Sequence, residues 1–297
     1  MEEGVGVGVG VGEFSRVPEG CIAHVISLTS PRDACRLSVV SAAFRSAAAS
    51  DAVWQRFLPP DFPSILSRAA AAVDLGCSST KDLFFRLCHH PSSSSSSTRP
   101  PPSFWLDKSS GAKCYMLSAR ALSITWGDTP EYWAWNRIPD ARFGEVAELL
   151  DVCWLEIVGR IGSSALSPKT AYAAYLVFKI AEDWRGLHRP KQETCVTLGG
   201  VESKHTVCLQ PDAGTQQTMH GRLWSFRLRG REMPQETMDA GVISPRTRSD
   251  GWMEVEMGEF YNETGEDGEV EMSLREIRGG NWKNGLIVQG IEIRPKM

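Results

Sequence analysis

The stretch WMEVEMG, residues 252–258, decides the fold of the larger part of this chain. Its methionines and its valine alternate with two glutamates. Successive side chains of a strand point to opposite faces, so this alternation predicts a strand with one apolar and one polar face. EVEMSLRE, residues 269–276, alternates in the same way. The C-terminal part is therefore expected to form antiparallel sheets that each bury one face.

More strand candidates lie on both sides of these two stretches, separated by turns rich in Gly, Pro, Asn and Asp. They are CWLEIVGRI (153–161), AYLVFKI (174–180), TVCLQ (206–210), WSFRLR (224–229) and LIVQGIEI (286–293). Many short strands predict an antiparallel β-sandwich, jelly-roll-like in its arrangement. The sequence does not decide whether EVAELLDV, residues 145–152, forms a helix or begins the strand that follows it.

The N-terminal part has helical rather than strand patterns. A first helix is predicted at about 19–28, and a second begins at Ser30-Pro31, with apolar positions through Phe44 at helical spacing. Asp51 begins a third short helix, and a fourth covers 81–88. The fold class is therefore α+β and multidomain, with a small all-α domain before the sandwich.

Composition limits the function classes. The net charge of −4 argues against a general nucleic-acid binder, although residues 250–297 hold eleven acidic and five basic side chains. No basic and apolar leader begins the chain, and no apolar run approaches the ~20 residues of a membrane span. The eight cysteines are scattered, so a soluble intracellular protein with reduced thiols is expected.

Residues 17–59, VPEGCIAHVISLTSPRDACRLSVVSAAFRSAAASDAVWQRFLP, resemble the F-box. The resemblance implies docking onto the Skp-type adaptor of a cullin-based ubiquitin ligase, in the nucleus and cytoplasm. The residues expected to contact the adaptor are Val17, Pro18, Ile26, Pro31 and Leu37. Val17 stands where many F-boxes have Leu. A unit this small has more apolar residues than its own core can hide, which favours a partner surface.

Four further apolar residues of this segment stay open between core and adaptor interface. They are Ile22, Val40, Trp54 and Phe57.

Stretches of the C-terminal part resemble the plant phloem lectin family, phloem protein type 2, which includes the tobacco jasmonate-inducible lectin. They cover residues 104–135, 145–161, 167–180, 248–260 and 265–295. The composition of the tail and of the linker, together with the two resemblances, predicts a set of boundaries. These are a disordered Gly-Val tail (1–13), an F-box (14–60), a helical extension (61–90), a Ser/Pro linker (91–103) and a lectin-like sandwich (104–297).

The lectin resemblance implies a carbohydrate site formed by Trp126, Trp133, Glu259 and Glu266. The implied ligands are N-acetylglucosamine oligomers or the core of N-glycans. The chemistry is consistent, because the apolar face of a sugar ring packs on an indole and ionised carboxylates hydrogen-bond its hydroxyls.

Other readings compete with this site. Tryptophans of a sandwich are more often core residues, and packing is the role expected for Trp135, Trp154, Trp224, Trp252 and Trp282. Trp135 has the alternative of a flanking sugar subsite. Glu259 and Glu266 have the alternative of solvated charges beside a Gly-rich turn.

No catalytic residue, metal site or cofactor is predicted. A glycosidase needs paired carboxyls with one raised pKa, and the loop around Glu259 and Glu266 shows no apolar burial. Motifs of nucleotide-binding and hydrolytic enzymes are missing from the sequence. Two non-catalytic alternatives remain: a stand-alone lectin with a degenerate F-box, and an adaptor whose sandwich recognises a protein surface.

Overall fold

The computed structural model describes residues 17–69, 78–89, 102–210 and 241–296. Its contacts divide the chain into two compact units. One unit contains residues 1–92 together with 104–113, and the other contains 93–103 and 114–297. The Gly-Val tail, most of the Ser/Pro linker and the WSFRLR strand candidate lie outside the described residues.

The first unit is helical, as the sequence predicted. Its described helices are α1 (Glu19–Ser27), α2 (Pro31–Leu37), α3 (Ala42–Ala49), α4 (Asp51–Phe57), α5 (Phe62–Ala69) and α6 (Thr80–His89). The Ser30 side chain caps α2 by accepting a 3.1 Å hydrogen bond from the Asp33 amide, and Pro31 occupies the first helical position.

The predicted continuous helix from Ser30 to Phe44 is wrong, because the chain breaks it after Leu37. Residues 38–40 form a turn, and Ser41 has an extended backbone. The Ser41 side chain accepts a 3.3 Å hydrogen bond from the Phe44 amide and so begins α3. A serine competes for backbone donors in this way and favours a helix start over a helix interior.

Trp54 forms the centre of the helical core. Its ring is fully buried, and its indole nitrogen donates a 2.7 Å hydrogen bond to the Ala48 carbonyl. The rings of Phe57, Phe84 and Phe85 lie 5.6, 5.2 and 5.3 Å from it, centre to centre. These contacts join α4 to α6, so the helical extension belongs to the same core as the F-box segment.

Residues 104–113 group with the helices, whereas the sequence placed the start of the sandwich at 104. Lys113 Nζ lies 3.1 Å from Asp61 Oδ2. Gly111 has a positive φ of 77°, and a Cβ there would lie 2.7 Å from the Phe57 carbonyl oxygen. The segment therefore packs closely on the helical core, which only a glycine allows at this point.

The second unit contains two sheets that are antiparallel apart from one parallel pair, which confirms the fold class. The strands of the described chain are β1 (Ser103–Leu106), β2 (Lys113–Ser118), β3 (Ser123–Ile124), β4 (Trp133–Asn136), β5 (Val146–Leu149), β6 (Leu155–Gly162), β7 (Thr170–Arg185), β8 (Gln192–Leu198), β9 (Val201–Val207), β10 (Val242–Ile243), β11 (Arg246–Thr247), β12 (Met253–Asn262), β13 (Glu269–Glu276) and β14 (Asn284–Pro295).

The order in one sheet is β2-β14-β7-β12-β11, with β5 paired to β14 and β4 paired to β5. The other sheet has the order β10-β9-β8-β13-β6-β3, in which β10 and β9 are parallel. The core lies between the sheets and takes side chains such as Leu176 and Ile291 from one and Ile157 and Leu274 from the other. A Cβ at Gly159 would lie 3.0 Å from Ile291 Cδ1, so the two sheets are in direct contact there.

The open segment 145–152 forms strand β5, which ends at Leu149. It is separate from β6, because the two strands belong to different sheets. Strand β8 was not among the predicted strands, although its burial alternates from Gln192 to Leu198.

The face of β12 that carries Glu254 and Glu256 is less exposed than the charge of these residues would suggest. Glu254 is almost fully buried and forms 2.6 Å ion pairs with Arg248 and Arg294 and a further pair with Arg246. Burial alone would raise the pKa of the Glu254 carboxyl, but the hydrogen bond and the charge of Arg294, with help from the other arginines, lower it to about 2. An ionised carboxylate therefore links β11, β12 and β14.

Candidate docking and ligand-binding surfaces

The helical unit exposes apolar side chains that it does not bury itself. The most exposed large ones are Val17, Val25, Leu28, Val39 and Val40. They come from the start and the end of α1 and from the turn between α2 and α3. Exposed large apolar side chains on a small soluble domain are candidate contact sites for partners. This set of five residues is called the valine patch below.

The predicted adaptor contacts fall into two groups. Val17 and Pro18 are exposed, and Leu37 is half-buried. Ile26 and Pro31 are buried, so the prediction that they face the adaptor is wrong for this structure. Ile26 lies on the side of α1 that packs on the other helices, where spacing alone could not distinguish it from Val25.

The structure shows which of the four undecided residues are buried in the core and which are exposed. Ile22, Trp54 and Phe57 are buried core residues. Val40 is exposed and belongs to the valine patch.

A groove of about 580 Å³ lies between α1 and α4. His24, Gln55 and Arg56 contribute to its lining, together with small residues such as Gly20. The groove is therefore more polar than the valine patch and provides a different kind of surface.

Trp126 lies in the turn between β3 and β4 and is 44% exposed. Its φ is 59°, in the left-handed region that residues other than Gly, Asn and Asp rarely occupy. Its ring packs on Tyr132, with centres 5.2 Å apart and planes tilted by 39°. An exposed bulky side chain on a backbone in an unfavourable conformation favours a functional role for Trp126.

Trp135 holds this turn in place. Its indole nitrogen donates a 2.9 Å hydrogen bond to the Gly127 carbonyl, next to Trp126. The guanidinium of Arg120 lies 3.6 Å from the centre of the Trp135 ring and pairs with Glu145 at 2.8 Å. The contacts of Trp135 are packing contacts, because the guanidinium of Arg120 covers its ring.

Trp133 is only 2% exposed and belongs to the core between the sheets. Its strand β4 pairs with β5, and Trp133 lies opposite Leu149. The structure thus contradicts the prediction that Trp133 faces a ligand. The physical reason is strand alternation, because the chain enters β4 at Trp133 and turns that side chain inward.

Glu259 and Glu266 are both exposed. The Glu259 amide donates a 3.1 Å hydrogen bond to Ser203 Oγ, and its carboxylate forms an ion pair with Lys296. Glu266 lies in the loop between β12 and β13, where its amide donates to Thr264 Oγ1 at 3.1 Å.

The structure does not bring Trp126 together with Glu266. The Thr125 amide donates to the Glu156 carbonyl at 3.0 Å, at the start of β6. The Ser163 amide donates to the Gly268 carbonyl at 2.8 Å, just beyond the end of β6. A strand rises about 3.3 Å per residue, so these two points are separated by roughly 23 Å. Trp126 and Glu266, which were predicted for one site, therefore lie at opposite ends of the sandwich.

Trp154 and Trp282 were predicted to be packing residues, and the structure corrects both predictions. Trp154 is 40% exposed, and Trp282 is 51% exposed. Both lie in connections between strands, and GGN, residues 279–281, directly before Trp282 was a turn signal in the sequence. Trp252, by contrast, is fully buried as predicted, and Trp224 lies outside the described residues.

No cluster of three His, Cys, Asp or Glu side chains in the described parts of the chain is placed to hold a metal ion. Within those same parts, no helix is long and apolar enough to cross a membrane.

Comparison with known proteins accounts for both units. The sequence model of the F-box domain matches residues 14–56, and that of phloem protein 2 matches residues 112–295. The chain is 45% identical to F-box protein At2g02240 of Arabidopsis thaliana, over 97% of this chain and 82% of that protein. It belongs to the F-box proteins with a phloem protein 2 domain.

Two further relatives from Arabidopsis thaliana support this membership along nearly the whole length. F-box protein PP2-B10 is 42% identical over 95% of this chain and 94% of its own length. Putative F-box protein PP2-B12 is 43% identical over 95% and 98%. An F-box implies binding to a Skp-type adaptor, so proteins of this family are adaptor-type proteins.

Proposed function

We propose that this chain is the substrate receptor of a Skp–cullin–F-box ubiquitin ligase. Its F-box docks the adaptor, and its phloem protein 2 domain captures a target that carries N-acetylglucosamine oligomers or an N-glycan core. The chain itself catalyses nothing, because the ligase supplies ubiquitin transfer. The observation that carries the proposal is the valine patch on a domain that matches the F-box.

The valine patch has the properties of a protein-binding surface. Val39 is 76% exposed and Val40 lies beside it, in the turn that Ser41 ends by capping α3. A capped turn has fewer backbone conformations to lose, so the entropy cost of ordering it at binding is small. Burying exposed apolar area contributes roughly 25 cal/mol per Å², so a few valines and a leucine provide a substantial part of an interface.

Adaptor binding tests the first half of the proposal. Val39→Asp should weaken binding of a purified Skp-type adaptor by about tenfold or more, because a charge in the centre of an apolar contact remains unpaired. The measurement is isothermal titration of the adaptor into the full chain. Val201→Asp is the matched control, since Val201 is also 76% exposed but lies in the sandwich.

Two results would contradict the adaptor role. One is a folded wild-type chain that binds no Skp-type adaptor, which would favour the stand-alone lectin. The other is an equal loss of binding in Val39→Asp and Val201→Asp, which would remove the valine patch from the interface.

The glycan half of the proposal is supported by Trp126. Its indole is exposed, and Tyr132 supports one side of it. The nearby Glu156 carboxylate accepts hydrogen bonds and is within reach of the same turn. An aromatic wall with a few placed polar groups is the usual composition of a site for small polar ligands.

A glycan array probed with the full chain tests this half. Wild type should bind glycans that contain N-acetylglucosamine, and Trp126→Ala should lose that binding without a change in adaptor affinity. Absence of glycan binding by a folded wild-type chain would refute the sugar ligand and favour a sandwich that recognises a protein surface.

The proposal also assigns the chain to the nucleus and cytoplasm. A fluorescent fusion expressed in plant cells would test this location, and accumulation in the secretory pathway would contradict it.

A further inference from the structure

Three exposed tryptophans occur in the described part of the sandwich: Trp126, Trp154 and Trp282. They come from three different connections, between β3 and β4, between β5 and β6, and between β13 and β14. Indoles are the largest apolar side chains and are usually mostly buried. Exposure of one would be unremarkable, but the strand pairing brings all three to one end of the sandwich.

Glu156 joins Trp154 to the turn that carries Trp126. Its Oε2 accepts hydrogen bonds from Thr125 Oγ1 at 3.0 Å and from the Trp154 indole nitrogen at 3.4 Å. Trp154 therefore lies directly beside the Trp126 turn. Arg275 donates a 2.9 Å hydrogen bond to the other oxygen of the same carboxylate and fixes its orientation.

A short bridge joins Trp282 to the same connection. The Lys283 amide donates to the Val152 carbonyl at 2.8 Å, and the Val152 amide donates to the Lys283 carbonyl at 3.0 Å. Antiparallel pairing then places Trp282 opposite Cys153, the residue before Trp154. These hydrogen bonds make the connections that carry Trp126, Trp154 and Trp282 neighbours at one end of the sandwich.

The support behind Trp282 is rigid. The Lys283 side chain is fully buried, forms an ion pair with Glu276, and donates a 3.2 Å hydrogen bond to the Cys153 carbonyl. Gly186, with φ of 70°, packs so closely that a Cβ there would lie 2.3 Å from the Trp282 carbonyl oxygen. The backbone that carries Trp282 is thus closely packed, which lowers the entropy cost of ordering this connection when a ligand binds.

We propose that Trp126, Trp154 and Trp282 form one extended surface that binds an oligosaccharide of several sugar residues, with Trp154 and Trp282 as subsites beyond Trp126. The proposal rests on the glycan-binding function proposed above. The acidic residues Glu259 and Glu266 have no part in it, because they lie toward the other end of the sandwich.

The surroundings of the rings favour a sugar chain over a protein partner. Charged pairs adjoin the connections that carry the indoles, namely Glu156 with Arg275 at 2.9 Å and Asp151 with Arg185 at 2.8 Å. Sugar residues offer an apolar ring face and several hydroxyls each, so a glycan can match separated indoles with hydrogen-bonding groups between them. A protein interface, in contrast, is depleted of charged residues at its centre.

Titration calorimetry on the full chain tests the proposal with two probes, N-acetylglucosamine and its β-1,4-linked trimer. Wild type should bind the trimer about 100-fold more tightly than the monosaccharide, about tenfold for each added subsite. Trp154→Ala and Trp282→Ala should each remove about tenfold of trimer affinity, the size expected for a contact that dominates binding. Tyr261→Ala is the matched control, because Tyr261 is 52% exposed on β12 near the opposite end and should have no effect.

Oxidative footprinting of the wild-type chain keeps the test independent of how the variants fold. The trimer should protect Trp126, Trp154 and Trp282 from hydroxyl radicals and leave Tyr261 reactive. Protection of Trp126 alone, with unchanged trimer affinity in Trp154→Ala and Trp282→Ala, would overturn the extended surface while the glycan-binding function stands. Failure of the folded wild type to bind either probe or an N-glycan core glycopeptide would overturn both.

Discussion

Trp126 and Trp133 show how neighbouring tryptophans of one turn acquire opposite roles. Both were predicted to face a ligand, because the sequence shows only that a turn separates them. The backbone at Trp126 is in the left-handed region, and that residue is exposed. Trp133 begins β4, and its alternation directs the ring into the core.

Trp133→Ala should therefore act on stability. Removing a buried indole leaves a cavity and should lower the free energy of unfolding by about 3–5 kcal/mol. Trp126→Ala should change the stability by less than about 1 kcal/mol, because it deletes an exposed ring and keeps the same backbone strain. Chemical denaturation measures both. Native stability in Trp133→Ala together with a loss of sugar binding would contradict the core assignment.

Gly186 is one of the residues at which the fold tolerates no side chain. Gly186→Ala should destabilise the chain by more than about 1 kcal/mol, since the added Cβ meets the Trp282 carbonyl and φ is positive. Gly144→Ala is the control, because a Cβ there meets nothing within 4 Å. Thermal denaturation compares the two variants, and equal melting temperatures would show that the loop relaxes around the new methyl group.

At the scale of elements, the strand β12 depends on an ionised carboxylate on its outer face. The pKa of Glu254 is lowered in the folded chain to about 2 from an ordinary value of 4.5. A lowered folded-state pKa stabilises the fold above the unfolded pKa and loses that contribution as the carboxylate is protonated. The contribution is therefore complete above about pH 4.5 and declines as the pH falls toward 2.

Glu254→Gln should make this dependence visible. At pH 7 the variant should be less stable by about 1–3 kcal/mol, because Arg248 and Arg294 each lose one carboxylate partner and keep Glu292. The stability difference from wild type should narrow between pH 4.5 and pH 2. Urea unfolding across this range is the measurement, with exposed Glu263→Gln as the control. A difference that stays constant with pH would contradict the role of the ionised carboxylate.

Some of the helices and strands could be predicted from local sequence patterns, and others could not. The alternation of β12 and β13 and the cap at Ser30 are local features, so strands and a helix start followed directly from them. The break at Ser41 was missed because apolar spacing continues across it. The separation of β5 from β6 was undecidable, because it depends on the sheet that each strand joins.

At the scale of the whole molecule, a substitution in one unit should abolish the binding function of that unit alone. Val39→Asp should lose adaptor binding and keep glycan binding, while Trp126→Ala should show the reverse. Each variant should therefore fail to support ubiquitination of a glycoprotein target in a reconstituted ligase, for a different reason. Binding assays for each ligand, run beside the ubiquitination assay, distinguish the two defects, and a variant that loses both ligands would contradict the division of labour.

The sequence by itself determined the order of a helical unit and a β unit, the F-box and phloem protein 2 resemblances, and the concentration of aromatic residues around Trp126. These features are local or depend on the order of motifs, so they can be recognised from the sequence without the three-dimensional structure. Only the tertiary structure decided that Ile26, Pro31 and Trp133 are core, that Val39 and Val40 are surface, and that Trp154 and Trp282 join Trp126 at one end. The physical reason is that burial depends on which strands and helices pack together, and the pairing of distant strands leaves no mark on the residues between them.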